Sequence, residues 1–173
     1  MSGKTKDDFG HGLAKFIPYL NIFSNPIVDC SLLESIEIDK KQNQVKKGDV
    51  FFTTSSETPE EVGMSSVLLE ESSNTYLNSF CFGYRPTTIF NNYFLAFMLR
   101  SNNFRRKIAL LAQGISRYNI SKNKVLEIDV NIPKLDEQST IGEFFRNIDN
   151  LITLHQREPK TIRSVYAKLR KTE

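Results

Sequence analysis

Few residues in this 173-residue chain have the type and spacing that catalysis needs. Glu127 and Asp129 stand two apart in the alternating run Val125 to Ile132, which puts both carboxylates on one face of a strand. A metal-dependent nuclease would also want a lysine at the next strand position, and there is none, so the pair reads as the solvent side of a half-buried strand. Cys30, Cys81, His11 and His155 are the only thiols and imidazoles, and nothing in their spacing brings them together as metal ligands. The chain has no Gly-x-Gly-x-x-Gly, no phosphate loop ending in Lys-Ser/Thr and no Gly-x-Ser-x-Gly elbow. Asn25-Pro26 lacks the second proline and the aromatic of an amino-methyltransferase loop. No catalytic residue and no metal site is expected.

Binding chemistry is better supplied. The loop Gly114 to Lys124 carries Arg117, Lys122 and Lys124, with Ser116, Tyr118, Asn119 and Ser121 between them, and Gln113 precedes it. Cations of this kind suit phosphates, while amides and hydroxyls suit base edges. Arg105, Arg106 and Lys107 are consecutive on a helical pattern, so at least two should be free to reach phosphates. Arg85 beside Pro86 can serve likewise. A hydroxyl-rich loop from Thr53 to Thr58, including Thr54, Ser55 and Ser56, follows a strong strand at Val50 to Thr54. The plain alternative for each is a solvated surface.

The elements that must hold these groups are short strands followed by grouped helices. The first twelve residues read as a polar loop. Ala14 to Phe23 is β-prone but confined by Pro18 to an edge or a broken strand, and Ser35 to Asp39 is a short strand. Met64 to Leu69, Tyr76 to Tyr84 and Val125 to Ile132 are further strands. Between Asn91 and Ala112 the period becomes helical, with Ser101-Asn102-Asn103 able to cap a second helix. The longest helical pattern starts near Asp136, a candidate cap, and presents Ile141, Phe144, Phe145, Ile148, Leu151, Ile152 and His155 as one stripe. It would be roughly 33 Å long up to Glu158. The stripe either docks on its own domain or pairs with another helix, as in a coiled coil. Pro159 then either kinks the helix or opens a second one carrying Ile162, Val165, Tyr166 and Leu169.

Composition fits a globular protein, with 39% hydrophobic and 25% charged residues. Charge is uneven. Residues 1–99 carry 8 Lys/Arg against 12 Asp/Glu, a net of −4, and residues 100–173 carry 15 against 8, a net of +7. The basic second half suits a polyanion. Two cysteines, no apolar run of membrane-spanning length and no signal-peptide pattern lead to an expected cytoplasmic location and no membrane partner.

Four ordered stretches resemble a known family. They are Val45-Lys-Lys-Gly-Asp-Val-Phe-Phe-Thr-Thr; Tyr76-Leu-Asn-Ser-Phe with Arg85-Pro86; Ser101 to Ser121, including Phe104-Arg105 and Ala112-Gln-Gly-Ile-Ser-Arg-Tyr-Asn-Ile-Ser; and Ile132-Pro-Lys-Leu-Asp-Glu-Gln-Ser-Thr-Ile, with Phe144-Phe145, Asp149 and His155-Gln156 after it. Together they resemble one half of a type I restriction–modification specificity subunit, from about Lys4 onward. The resemblance implies an α+β fold: a mixed-sheet target-recognition domain over residues 1–134, then a long coiled-coil-forming helical spacer over 135–173. It implies sequence-specific recognition of double-stranded DNA, with no chemistry in this chain and no bound cofactor. S-adenosylmethionine, ATP and Mg would belong to the partner methyltransferase and restriction subunits. DNA contacts are expected at Thr54, Ser55, Ser56, Arg85, Arg105, Arg106, Gln113, Ser116, Arg117, Tyr118 and Lys122, and the helical stripe is expected to form a homodimer. Most members carry two recognition domains and two helical regions, whereas this chain carries one of each and starts slightly late, without the usual short basic segment. The competing expectation is an interaction protein that docks partners through its helix and binds no DNA.

Overall fold

Strand β3 (Val50–Thr53) is buried at every position, because apolar layers lie on both its faces. Val50 and Phe52 point into one core with Val67, Leu95, Phe104, Ile108 and Ile120. Phe51 points the other way, into a second core with Ile17, Ile22, Val45 and Leu68. That is the period-two geometry of a central strand, and it explains why the run is continuously apolar and not alternating. The computed structural model describes residues 5–157.

Three sheets meet around β3. In the first, β1 (Phe9–Ile17) lies between β2 (Glu34–Ile36), antiparallel, and β6 (Thr75–Leu77), parallel. In the second, β3 lies between β5 (Ser65–Val67) and β7 (Cys81–Tyr84), both antiparallel, with Phe52 opposite Ser65 and Phe82. The third pairs β4 (Ser55–Ser56) with β8 (Tyr118–Asn119). Helices α1 (Tyr19–Ser24), α2 (Asn92–Met98), α3 (Asn102–Leu110) and α4 (Lys122–Leu126) cover the sheets. The 23-residue α5 (Leu135–Arg157) ends the described chain. This is an α+β fold with mixed sheets and a long C-terminal helix.

Several expectations need correction. The chain enters its first sheet at Phe9, well inside the stretch expected to be a loop. Pro18 ends β1, and the aromatic run beyond it is helical. Tyr76 to Tyr84 is two strands in different sheets. Asn78 separates them by donating to the Ile17 carbonyl (2.9 Å) and accepting from the Phe80 N–H (2.9 Å), a side-chain turn. Val125 to Ile132 is not a strand, and burial alternates only around Ile128 and Val130, since Val125 is buried on the other parity and Leu126 and Ile132 are exposed. Its start is the end of α4, Ile128 and Val130 rest on the first core, and Lys107 caps the Asp129 carbonyl in place of a ladder partner. Helix α5 begins one residue early, so Asp136 sits inside its first turn. The stretch around Pro159, with Ile162, Val165, Tyr166 and Leu169, lies outside the described residues.

Helix α5 docks on α2 by one narrow face. The buried Gln138 side chain donates to the Pro133 carbonyl (2.9 Å) and accepts from the Asn91 N–H (3.0 Å). One turn on, Gly142 lies against α2, where a Cβ would stand 2.6 Å from Asn91 Oδ1 and 2.8 Å from the Phe94 backbone nitrogen. Phe145 meets Phe97 with ring centroids 5.5 Å apart, and the Arg146 guanidinium lies 5.0 Å over the Tyr93 ring. Gly142→Leu is therefore expected to lever α5 off α2, at about 1–3 kcal/mol. Faster amide exchange at Phe94 would report it, and unchanged exchange would mean that Gly142 carries none of the docking.

Candidate nucleic-acid interface

Residues 113–119 form a tight loop closed at its base, since the Gln113 and Asn119 backbones exchange hydrogen bonds of 2.9 and 2.8 Å. Gly114 has φ +148°, and a Cβ there would stand 2.1 Å from the Arg117 carbonyl oxygen, so only glycine fits this turn. The turn pushes Ile115, which is 97% exposed, together with Ser116 and Arg117, into solvent. Arg117 is aimed by a 3.2 Å bond from its Nε to Ser55 Oγ, which leaves the outer end of its guanidinium turned to solvent. It borders a concavity of about 350 Å³ shared with Tyr19, Phe23, Glu61 and the exposed Phe80. Lys122, at the start of α4, rests its ammonium 5.3 Å over the Tyr84 ring, and its carbonyl accepts from the Tyr84 hydroxyl. Tyr118 is half-buried against the first core.

The hydroxyl stretch has a different place from the one its composition suggests. Ser55 and Ser56 are buried in the β4–β8 ladder, and Thr53 is buried just before them. Their hydroxyls are used internally: Thr53 accepts from the Met64 N–H, and Ser56 donates to Glu61. Thr54 is half-buried, with its backbone bonded to Phe80 and Ile120. These residues support the Arg117 loop from beneath.

The arginines divide in the same way. Arg105 gives its guanidinium to three carbonyls, those of Gly63 (2.6 Å), Glu60 (2.7 Å) and Val62 (2.5 Å), and burial lowers its pKa. Arg100 does likewise for Ser65, Ile22 and Asn25, and burial takes it down to about 10, with the Arg105 charge adding to the shift. Arg85 forms a two-pronged ion pair with the buried Asp49, at 2.7 and 2.8 Å. Arg106 is exposed, but it borders a separate concavity with Phe97 and Ala109. Of the expected cations, the structure therefore brings Arg117 and Lys122 to either side of the 78–81 turn, and holds Arg105 and Arg85 in internal bonds.

Burial pushes the Cys81 thiol up to about 12 and the Cys30 thiol up to about 11, where Glu70 adds to the shift. Both stay protonated at neutral pH and are poor nucleophiles. Among the described residues no cluster of three or more His, Cys, Asp or Glu could hold a metal ion, and no helix is long and apolar enough to cross a membrane.

One surface feature escaped the sequence reading. Lys40-Lys-Gln-Asn-Gln-Val-Lys-Lys47 puts four exposed lysines into eight residues of the acidic half. A local charge window would have found it, whereas summing over half the chain hid it.

Comparison with known proteins supplies a family. A model of the type I restriction modification DNA specificity domain matches residues 4–164. The type I restriction enzyme MjaVIII specificity subunit of Methanocaldococcus jannaschii is 30% identical over 76 residues, covering 44% of this chain and 18% of that protein. The chain thus spans less than a fifth of that relative.

Proposed function

The chain belongs to the type I restriction modification DNA specificity family, and from that premise we propose that it reads the sequence of double-stranded DNA for a type I system. The observation that supports this most directly is the Arg117 loop, a cation and two polar groups on a turn that only Gly114 permits and that Ser55 braces from below. Arginine on a preset loop suits bidentate contact with a guanine edge. Gln113, Ser116 and Tyr118 flank it, and Lys122 supplies phosphate contact across the 78–81 turn. Arg106 is a peripheral phosphate contact in this reading, while Arg85, Arg105, Thr54, Ser55 and Ser56 hold the surface in shape.

Residues 1–134 act as the recognition domain, and 135–173 as a spacer that pairs with a second helix. Such pairing sets two recognition units at a fixed distance over a bipartite target, and a two-fold homodimer would read a split palindrome. The chain itself performs no chemistry. Methylation with S-adenosylmethionine, and restriction with ATP and Mg, fall to partner subunits that it directs to the site in the cytoplasm.

Selection of bound duplexes from a random pool, with the chain alone and with a methyltransferase subunit added, tests the reading. A split palindrome with a fixed gap is expected. A single ungapped half-site would keep the recognition domain and remove the homodimer. No enrichment by folded protein would favour an interaction protein that docks through α5, whose exposed stripe suits that role as well. Arg117→Ala is expected to weaken binding to the selected site about 10–100-fold, equal to about 1–3 kcal/mol, without altering the fold. Unchanged affinity would remove the loop from the interface.

A further inference from the structure

The lysine-rich segment 40–47 lies beside a cleft of about 610 Å³. Gln42, Asn43 and Gln44 line that cleft together with Tyr84, Arg85 and Lys122. Its only acidic lining residue, Asp49, is held in the ion pair with Arg85, so the cleft presents a positive face. The four lysines are not loosely strung. Lys40 and Lys41 sit on a turn closed by Gln42 N–H to the Asp39 carbonyl (3.1 Å), which the Tyr76 hydroxyl anchors through the Asp39 N–H (3.0 Å). Lys46 and Lys47 sit on a second turn closed by Asp49, whose carboxylate accepts from the Lys46 N–H (2.7 Å). Between the turns, Gln44 bridges Tyr76 and the Val45 N–H donates to Thr75 (2.9 Å). All four side chains are exposed, and none of their ammonium groups has an ion-pair or hydrogen-bond partner among the described residues.

We propose that this segment and cleft grip the sugar–phosphate backbone of the bound DNA, contributing affinity without reading bases. The inference rests on the DNA-reading function above and adds a second, sequence-blind surface to it. Two observations favour nucleic acid over an acidic peptide. Lys41 and Lys46 are separated by at most roughly 17 Å of chain, a length over which one B-form strand presents about five phosphates. The surface is continuous with the Arg117 loop, since Ser79 lines the cleft and its neighbour Phe80 borders the Arg117 concavity. Tyr84 and Asn43 add groups that suit sugars and phosphate oxygens as well as they would suit any peptide.

The test is the salt dependence of binding, with the full chain and a fluorescein-labelled duplex carrying the selected site or a scrambled one. The variant is Lys40→Gln, Lys41→Gln, Lys46→Gln and Lys47→Gln together. Each lysine that meets a phosphate contributes about 0.9 to the slope of log K against log salt, so the slope should fall by about 2 to 4. Affinity should fall at least about tenfold on both duplexes alike, so their ratio is preserved. Arg117→Ala should do the opposite, changing the ratio more than the slope. Arginine at the same four positions should restore the slope, which separates lost charge from lost structure. A glutamine variant that keeps the wild-type slope would overturn the inference and leave DNA reading intact. A variant that keeps its slope but no longer retains a methyltransferase subunit would overturn it in favour of an acidic protein partner. Folded wild-type protein that binds neither duplex would overturn the DNA-reading function, and this surface with it.

Discussion

Arg105→Ala is expected to lower the unfolding free energy by about 2–4 kcal/mol, while Arg106→Ala, one position on, stays within about 0.5 kcal/mol of the parent. The guanidinium of Arg105 closes the turn before β5 by donating to the carbonyls of Glu60, Val62 and Gly63, all within 2.7 Å. That turn carries Val62, which is wholly buried in the first core, and Glu61, which accepts from Ser56 beneath the Arg117 loop. Each charge-assisted bond is worth about 1.5–3 kcal/mol. Water can re-solvate the Glu60 carbonyl once it is freed, and the three bonds do not add, so the total falls below their sum. Arg105→Lys should recover only part of the loss, because one ammonium cannot serve three carbonyls that a planar fork spans. Denaturant unfolding reads the difference as a lower midpoint at constant slope. An unchanged midpoint for Arg105→Ala would mean that packing alone holds the turn. DNA binding by this variant should fall with its folded fraction and keep its salt slope, which is the signature of a brace and not of a phosphate contact.

The contrast between Arg105 and Arg106 marks what the sequence could and could not disclose. Local signals read well. The cap of α3 falls within the Ser101-Asn102-Asn103 run expected, with Ser101 accepting from Phe104, because capping is decided within one turn. The stripe on α5 was readable because helical period is also local. Which of two adjacent arginines is consumed depends on a turn some 42 residues away, and no spacing rule reaches that far. The hydroxyls after Phe52 misled for a related reason. Thr53, Ser55 and Ser56 look like solvent-facing groups until Met64, Arg117 and Glu61 are seen to satisfy them. Buried polar groups are tolerated once paired, and pairing is a tertiary fact. In Val125 to Ile132 the alternation of residue type carries into burial only at Ile128 and Val130, and a strand also needs a neighbour with free backbone groups, whose part a lysine takes here.

Ile148→Asp combined with Leu151→Asp is expected to weaken self-association at least about 100-fold, close to 3 kcal/mol, without lowering the melting temperature of the domain. Gly142 fixes which side of α5 faces α2. At about 100° per residue, Ile148 lies roughly 120° around the helix from it. Phe144, Ile148, Leu151 and Ile152 are accordingly exposed, Phe144 by 60% and Leu151 by 66%. Ile141, Phe144, Ile148, Leu151 and His155 follow alternate steps of three and four, the seam spacing of a two-helix coil. If each of the four exposed apolar residues contributes about 1.5 kcal/mol on burial, two copies gather about 12 kcal/mol. That is comparable with the cost of association, about 4–15 kcal/mol, so the pairing is marginal and a carboxylate in the seam should break it. Phe145 is the wrong residue to change for this purpose, since its ring packs on Phe97 and its loss would disturb docking on the domain. Sedimentation equilibrium measures the association. If parent and variant are both monomeric, the stripe does not pair two copies of this chain. If the variant alone is monomeric, the same change should turn a selected split palindrome into a single half-site, because one recognition domain reads on without the spacer that sets the gap.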